Sequence, residues 1–288
     1  MKRLYTTTAA ALALALGAAA ASAQPASDAP TAPTVPPTEH IAANPMPAAR
    51  DEFEKLAVRG DYFELGKQLD GARSLDEVNR DMDWEELQIV EGGSVFFNFV
   101  YIDSLWILGG KFPEPTGGVA KRFAGVMALY TAQQIKIDAP RCADQSAPDH
   151  RMDQLMVGRG DVWRYIMSLP EVTRRDLAVE ALKLEARTAK SRREDVTLCS
   201  GGMAEITTRI ARDPALANRQ LTPYSGGRVD LPPGPPIPPK FVDAKAAAPK
   251  QAAIRAQIPG ALARLLKLPE AQTPAHDAPP PGVAGAPR

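Results

Sequence analysis

Three sets of side chains in this sequence are of types that do chemistry. The first is Asp149-His150-Arg151 with Asp153. If a helix begins near Pro148, Asp149 and Asp153 fall on one face, a turn apart. Such a pair could hold a cation beside His150, or leave His150 to act as a base. The plain alternative is an acidic first turn favoured by the helix dipole. A zinc site asks for three or four ligands at characteristic spacing, and the others are missing.

The second set lies in the apolar stretch Ser94–Leu108, which reads SVFFNFVYIDSLWIL. A carboxylate there, Asp103, must be paired, neutral or facing a cavity. Arg122, Lys121 and Arg164 are the candidate partners. A binding pocket formed by Asp103, Tyr101 and Trp106 is the functional reading, and a structural salt bridge or a solvent-facing position is the plain one.

The third set is Cys142 and Cys199, the only two cysteines. An even count in an exported chain points to a disulfide. Two free thiols serving a metal or a nucleophile are the alternative, but no C-x-x-C occurs and one histidine alone lies in the foldable part.

The usual enzymatic devices are missing: there is no phosphate loop, G-x-S-x-G, H-E-x-x-H or calcium loop. Ser200-Gly201-Gly202 reads as a helix break. The carboxylate pairs Glu85-Glu86 and Asp81/Asp83 are of the kind an acidic helix supplies by chance. No catalytic residue is assigned and no cofactor or metal is expected.

The elements that must position these residues are all helical by pattern. The Ser94–Leu108 segment is apolar on nearly every side, with glycine pairs before and after it, so it belongs in the middle of a core. Ahead of it, Ser74 and Glu77 form a capping box. The helix they start is expected to turn Leu75, Val78, Met82, Leu87 and Val90 inward and its Glu and Asp residues outward. Behind it, Phe112–Gly118 reads as a loop and Val119–Ile135 as a helix. Further helices start near Ser146, Asp161 and Ser168, the last a long charged helix with Val172, Leu177, Ala181 and Leu184 inward. A short helix through Ile206 and Ile210 ends at Asp213-Pro214. No stretch alternates convincingly like a strand.

Composition bounds the rest. Of 28 prolines, seven lie in 24–50 and sixteen in 214–288, so 51–213 is a different material from its flanks. Met1–Ala23 reads as a secretory signal peptide: Lys2-Arg3, an Ala/Leu run, then Ala21-Ser22-Ala23. Residues 24–50 read as a disordered Pro/Ala-rich leader. The tail 214–288 reads likewise, with an apolar island at 252–268 that is a short amphipathic helix or disordered. The body carries 22 Lys+Arg against 28 Asp+Glu, an acidic balance unlike a nucleic-acid-binding face.

The sequence thus predicts an all-α fold, an irregular helical bundle of about six to eight helices around one central apolar helix, between disordered arms. It predicts a bacterial protein in the periplasm or secreted, with no transmembrane segment in the mature chain. A binding or envelope-structural role is expected, the partner being a cell-envelope protein or a glycan. A periplasmic hydrolase with an acidic or His-containing site, and attachment to a membrane surface through 252–268, are the alternatives.

Overall fold

A computed structural model of the chain describes residues 46–71, 74–213, 216 and 237–269. The expected signal peptide, nearly all of the leader and much of the tail lie outside the described residues.

The described residues fold into eleven α-helices and form no strand. Helices α1 (Arg50–Arg59) and α2 (Tyr62–Asp70) form an N-terminal pair that buries Phe53, Leu56, Leu65 and Leu69. Helix α3 (Leu75–Val90) starts at the predicted capping box: Ser74 Oγ accepts from Glu77 N at 3.1 Å and Ser74 N donates to Glu77 Oε2 at 2.9 Å. The expectation for its faces is corrected. The buried residues are Asp81, Trp84, Glu85 and Ile89, while Leu75, Val78, Met82, Leu87 and Val90 are only half-buried. Trp84 sets this rotation. Its ring lies 5.1 Å from Phe53 and 5.4 Å from Phe97, so the largest apolar side chain of the helix decides which face turns in.

Helix α4 (Val95–Lys111) is the apolar stretch, capped by Ser94. It buries Phe97, Asn98, Phe99, Ile102 and Leu105, while Ile107 stands 56% exposed on its far side. Asp195 anchors its start from about a hundred residues away. The carboxylate accepts from Val95 N at 2.6 Å and from Ser94 Oγ at 2.8 Å.

Helix α5 (Thr116–Asp138) begins inside the predicted loop and folds back along α4. Gly109 lies against Lys121 near the bend, and Asn98 Nδ2 donates to Gln134 Oε1 at 2.7 Å near the other end. The two helices are therefore antiparallel. Close approach at the bend needs glycine: a Cβ on Gly109 would come within 2.7 Å of Lys121 Cγ, and one on Gly117 would collide with Phe112 O. From Ala124 to Asp138 every residue of α5 but Lys136 is buried. The centre of the body is thus an α4–α5 hairpin, with α5 the more enclosed member.

Around it lie α6 (Ser146–Met156), α7 (Gly160–Ser168), α8 (Glu171–Thr188), α9 (Val196–Cys199) and α10 (Met203–Arg212). Helix α8 turns Leu177, Ala181 and Leu184 inward as expected, but Val172 is exposed and Glu180 and Glu185 are buried. Cys142 and Cys199 form a disulfide across a separation of 57 residues. Gly92, after α3, has a φ of 78° and sits on the Ser191 backbone, where any Cβ would collide.

The chain returns at residues 237–243. Val242 N donates to Arg141 O at 2.7 Å and Ala143 N to Lys240 O at 3.0 Å, which places Phe241 beside Cys142. Helix α11 (Ala244–Leu265) follows, starting ahead of the island at 252–268 and running through Pro249 and Pro259. Both prolines lie on its exposed face. Ile258, Leu262 and Leu266 join the same core as α4, α5 and α8.

Candidate functional site

The residues expected to form a site are placed apart. On α6, Asp149 is largely exposed with Lys136 3.9 Å away, and Asp153 faces solvent. His150 Nε2 lies 3.2 Å from Gln154 Nε2. Arg151 is the working member: it donates to Thr197 O at 2.7 Å and Ser200 O at 3.0 Å, and so ties α6 to the disulfide segment. Among the described residues no group of three or more His, Cys, Asp or Glu is placed to hold a metal.

Tyr101, Asp103 and Trp106 leave α4 in three directions. Tyr101 donates to Glu86 Oε2 at 3.2 Å and lines a small apolar pocket of about 110 Å³ against Leu105, Phe123 and Met127. Burial and Glu86 hold its phenol well above the usual range. Trp106 meets the Tyr165 ring edge-on at 5.7 Å, with Lys121 over its face. Asp103 pairs with Arg159 at 2.6 Å, not with Arg122, Lys121 or Arg164. Arg159 also donates to Phe99 O at 3.2 Å and stacks on the Phe99 ring at 4.5 Å. Burial pushes Asp103 up and Arg159 down, and the contact between them opposes both shifts. Arg164 is taken by its neighbour Asp161 on α7.

The structure instead gathers polar groups at two places that read in sequence as ordinary helix surface. One is a buried ion cluster. Arg192, with a side chain 4% exposed, reaches Glu185 at 2.5 Å and Asp138 at 3.3 Å. From α11, Arg255 donates to Glu185 at 3.0 Å and Gln251 to Asp138 at 2.9 Å. Burial pushes the Asp138 carboxyl up to about 6, with Arg192 pulling the other way. Every charge here has an opposite charge beside it, so the cluster locks α5, α8 and α11 together, although Arg192 Nη1 has no hydrogen-bond partner among the described residues.

The other place is a cleft of about 400 Å³ between α3 and α4, closed at one end by Leu69 and Asp70 of α2. That volume is within the range of small-molecule sites. Val78, Met82, Val100, Leu108 and Phe112 give it apolar walls, Ile107 forms its rim, and Lys111 stands at the α4 end. Asp81 and Glu85, one turn apart on α3, are its acidic floor. Glu85 is 1% exposed, and its Oε2 has no hydrogen-bond partner among the described residues.

Comparison with known protein families, curated proteins and solved structures finds no match to this chain. The cleft must therefore be judged on its chemistry.

A buried carboxylate without a partner is costly, and native proteins rarely keep one. Burial first, then the charges of Asp81, Asp70 and Asp103, push the Glu85 carboxyl well above the usual carboxylate range. Asp81 is pushed up to about 6, by burial and Glu77 against the pull of Arg80. The cleft thus offers hydrogen-bonding acids between apolar walls. Its sequence signal is the i, i+4 spacing of Asp81 and Glu85. The pattern misleads because the half-buried apolar residues of α3 line the cleft and mimic a core-facing stripe.

Proposed function

We propose that this chain is an exported bacterial binding protein that works in the periplasm or outside the cell and holds a small ligand in the α3–α4 cleft. The observation that carries the reading is Glu85, an enclosed carboxyl group in the lining of the cleft whose Oε2 has no hydrogen-bond partner among the described residues. The signal-like N-terminus supports export, and the Cys142–Cys199 disulfide suits an oxidising compartment.

Binding is favoured over hydrolysis because Asp149, His150 and Asp153 do not converge on a pocket. It is favoured over attachment through the tail helix because Ile258, Leu262 and Leu266 are spent on the core. No helix among the described residues is long and apolar enough to cross a membrane.

The test is native mass spectrometry of the full chain purified from the periplasm of the expressing cell, beside a Leu108→Trp variant that fills the cleft. Wild type should retain a small molecule that the variant has lost. Equal mass excess in both, or recovery of the protein only from the cytoplasm with both thiols free, would overturn the reading.

A further inference from the structure

The geometry points to a ligand class for this cleft: an organic ammonium cation on an apolar body, whose charged nitrogen sits between Asp81 and Glu85. This rests on the reading of the cleft as a ligand site and adds what the site selects.

Charged groups face the pair from three helices. On α3 itself, Glu77 and Arg80 flank Asp81. From α2 comes Asp70, and from α4 the field of Asp103 and, at the mouth, Lys111. Asp103 is already neutralised by Arg159. The floor is left with more negative than positive charge, and none of the described residues donates to Glu85 Oε2. An anionic ligand would meet Asp70, Asp81 and Glu85 together. A neutral apolar ligand would leave Glu85 as unpartnered as before.

A cation changes that balance. Two carboxyls one turn apart in a poorly hydrated site cannot both ionise cheaply, so the empty pair keeps a proton. An ammonium group supplies the missing charge and donors, and the proton leaves to solvent. R–NH3+ enters, H+ departs, and no covalent bond to carbon changes. A bare divalent ion fits poorly, because it wants six or more oxygens and among the described residues no three His, Cys, Asp or Glu are grouped to hold one. An alkyl chain suits Val78, Met82, Val100 and Leu108.

The experiment is isothermal titration of the full, disulfide-intact chain with n-octylamine, 1-octanol and octanoate. Octylamine should bind at least about tenfold tighter than octanol, a difference of the size a charged hydrogen bond gives. Octanoate should not bind. Titrations in buffers of different ionisation enthalpy should show proton release on octylamine binding. Its affinity should fall by at least about tenfold from pH 7.5 to pH 5, the factor by which a carboxyl with a pKa near 6 becomes protonated, and by more through the proton released from the pair.

Glu85→Gln should keep octanol binding and lose the preference for the amine; Asp81→Asn, at the more open end of the pair, is the second variant if the first fails to fold. Equal binding of amine and alcohol, or an unchanged preference in both variants, overturns the ammonium assignment and leaves the cleft as a ligand site. Failure of all three probes to bind removes both readings together.

Discussion

Replacing Asp81 by Asn should change stability in a way that can be worked from the structure. The Asp81 carboxyl is raised from 3.8 to about 6 in the folded protein. The folded state therefore binds the proton more tightly than the unfolded chain does. The stability this contributes is complete below pH 4 and is lost as pH rises through 6. Above pH 7 wild type carries the cost of the ionised group. A rise from 3.8 to about 6 corresponds to about 3 kcal/mol at most. Asp81 lines a cleft open to water, and solvent screening reduces this to about 1–2 kcal/mol. An asparagine at this position has no charge to bury, so D81N should be more stable than wild type by about that amount at pH 8, with the difference fading toward pH 4. Glu85, which Asp81 helps to push up, is relieved in the variant and adds to the gain. Asp138 also titrates near 6, but it does so in both proteins and drops out of the comparison. Urea unfolding followed by circular dichroism from pH 4 to pH 8, with the disulfide intact, measures the difference directly. A D81N advantage that grows on acidification, or a variant less stable than wild type at pH 8, would refute the reasoning.

Packing and pairing make three more expectations. Reducing the Cys142–Cys199 bridge, or replacing both residues by Ser, should cost about 4 kcal/mol in the chain-entropy picture for a 57-residue separation, read from denaturation midpoints with and without reductant; a change under about 1 kcal/mol would show that the bridge is redundant. Arg192→Met should cost about 3–5 kcal/mol, because it leaves buried Asp138 without the cation it pairs with and Glu185 with Arg255 alone, and its melting temperature should recover when both acids are also made neutral. Leu262→Ala should cost about 2–4 kcal/mol by the same denaturation measurement, whereas alanine at the exposed Leu265 of the same helix should cost under about 1 kcal/mol.

What can be read from the sequence divides along physical lines. The all-helical class and the cap of α3 are legible, because caps and periodicity are local. The disulfide is legible because two cysteines admit one pairing within the chain. The apolar α4 does lie at the centre, yet α5 is the more enclosed helix. Its alanines, glycines and glutamines lower its apparent apolarity, and that smallness is what lets it pack closely on every side. The orientation of α3 is not legible, since one tryptophan outweighs several aliphatic residues when a helix chooses its face. The Arg192 cluster is invisible for another reason: its members come from three segments about fifty to sixty residues apart, and no local pattern announces such a meeting. Proline content draws attention away from α11, although its prolines fall where solvent, not the core, receives them.

The docking of α11 also has a bearing on time. Synthesis delivers residues in order, and the surfaces of α5 and α8 that receive Ile258 and Leu262 are made long before those side chains emerge. Until then the nascent body exposes a greasy seam and a half-neutralised Arg192 site. Helix α11 shuts that seam with Ile258 and Leu262 and brings Arg255 to Glu185, so the body is completed only after residue 265 has been made.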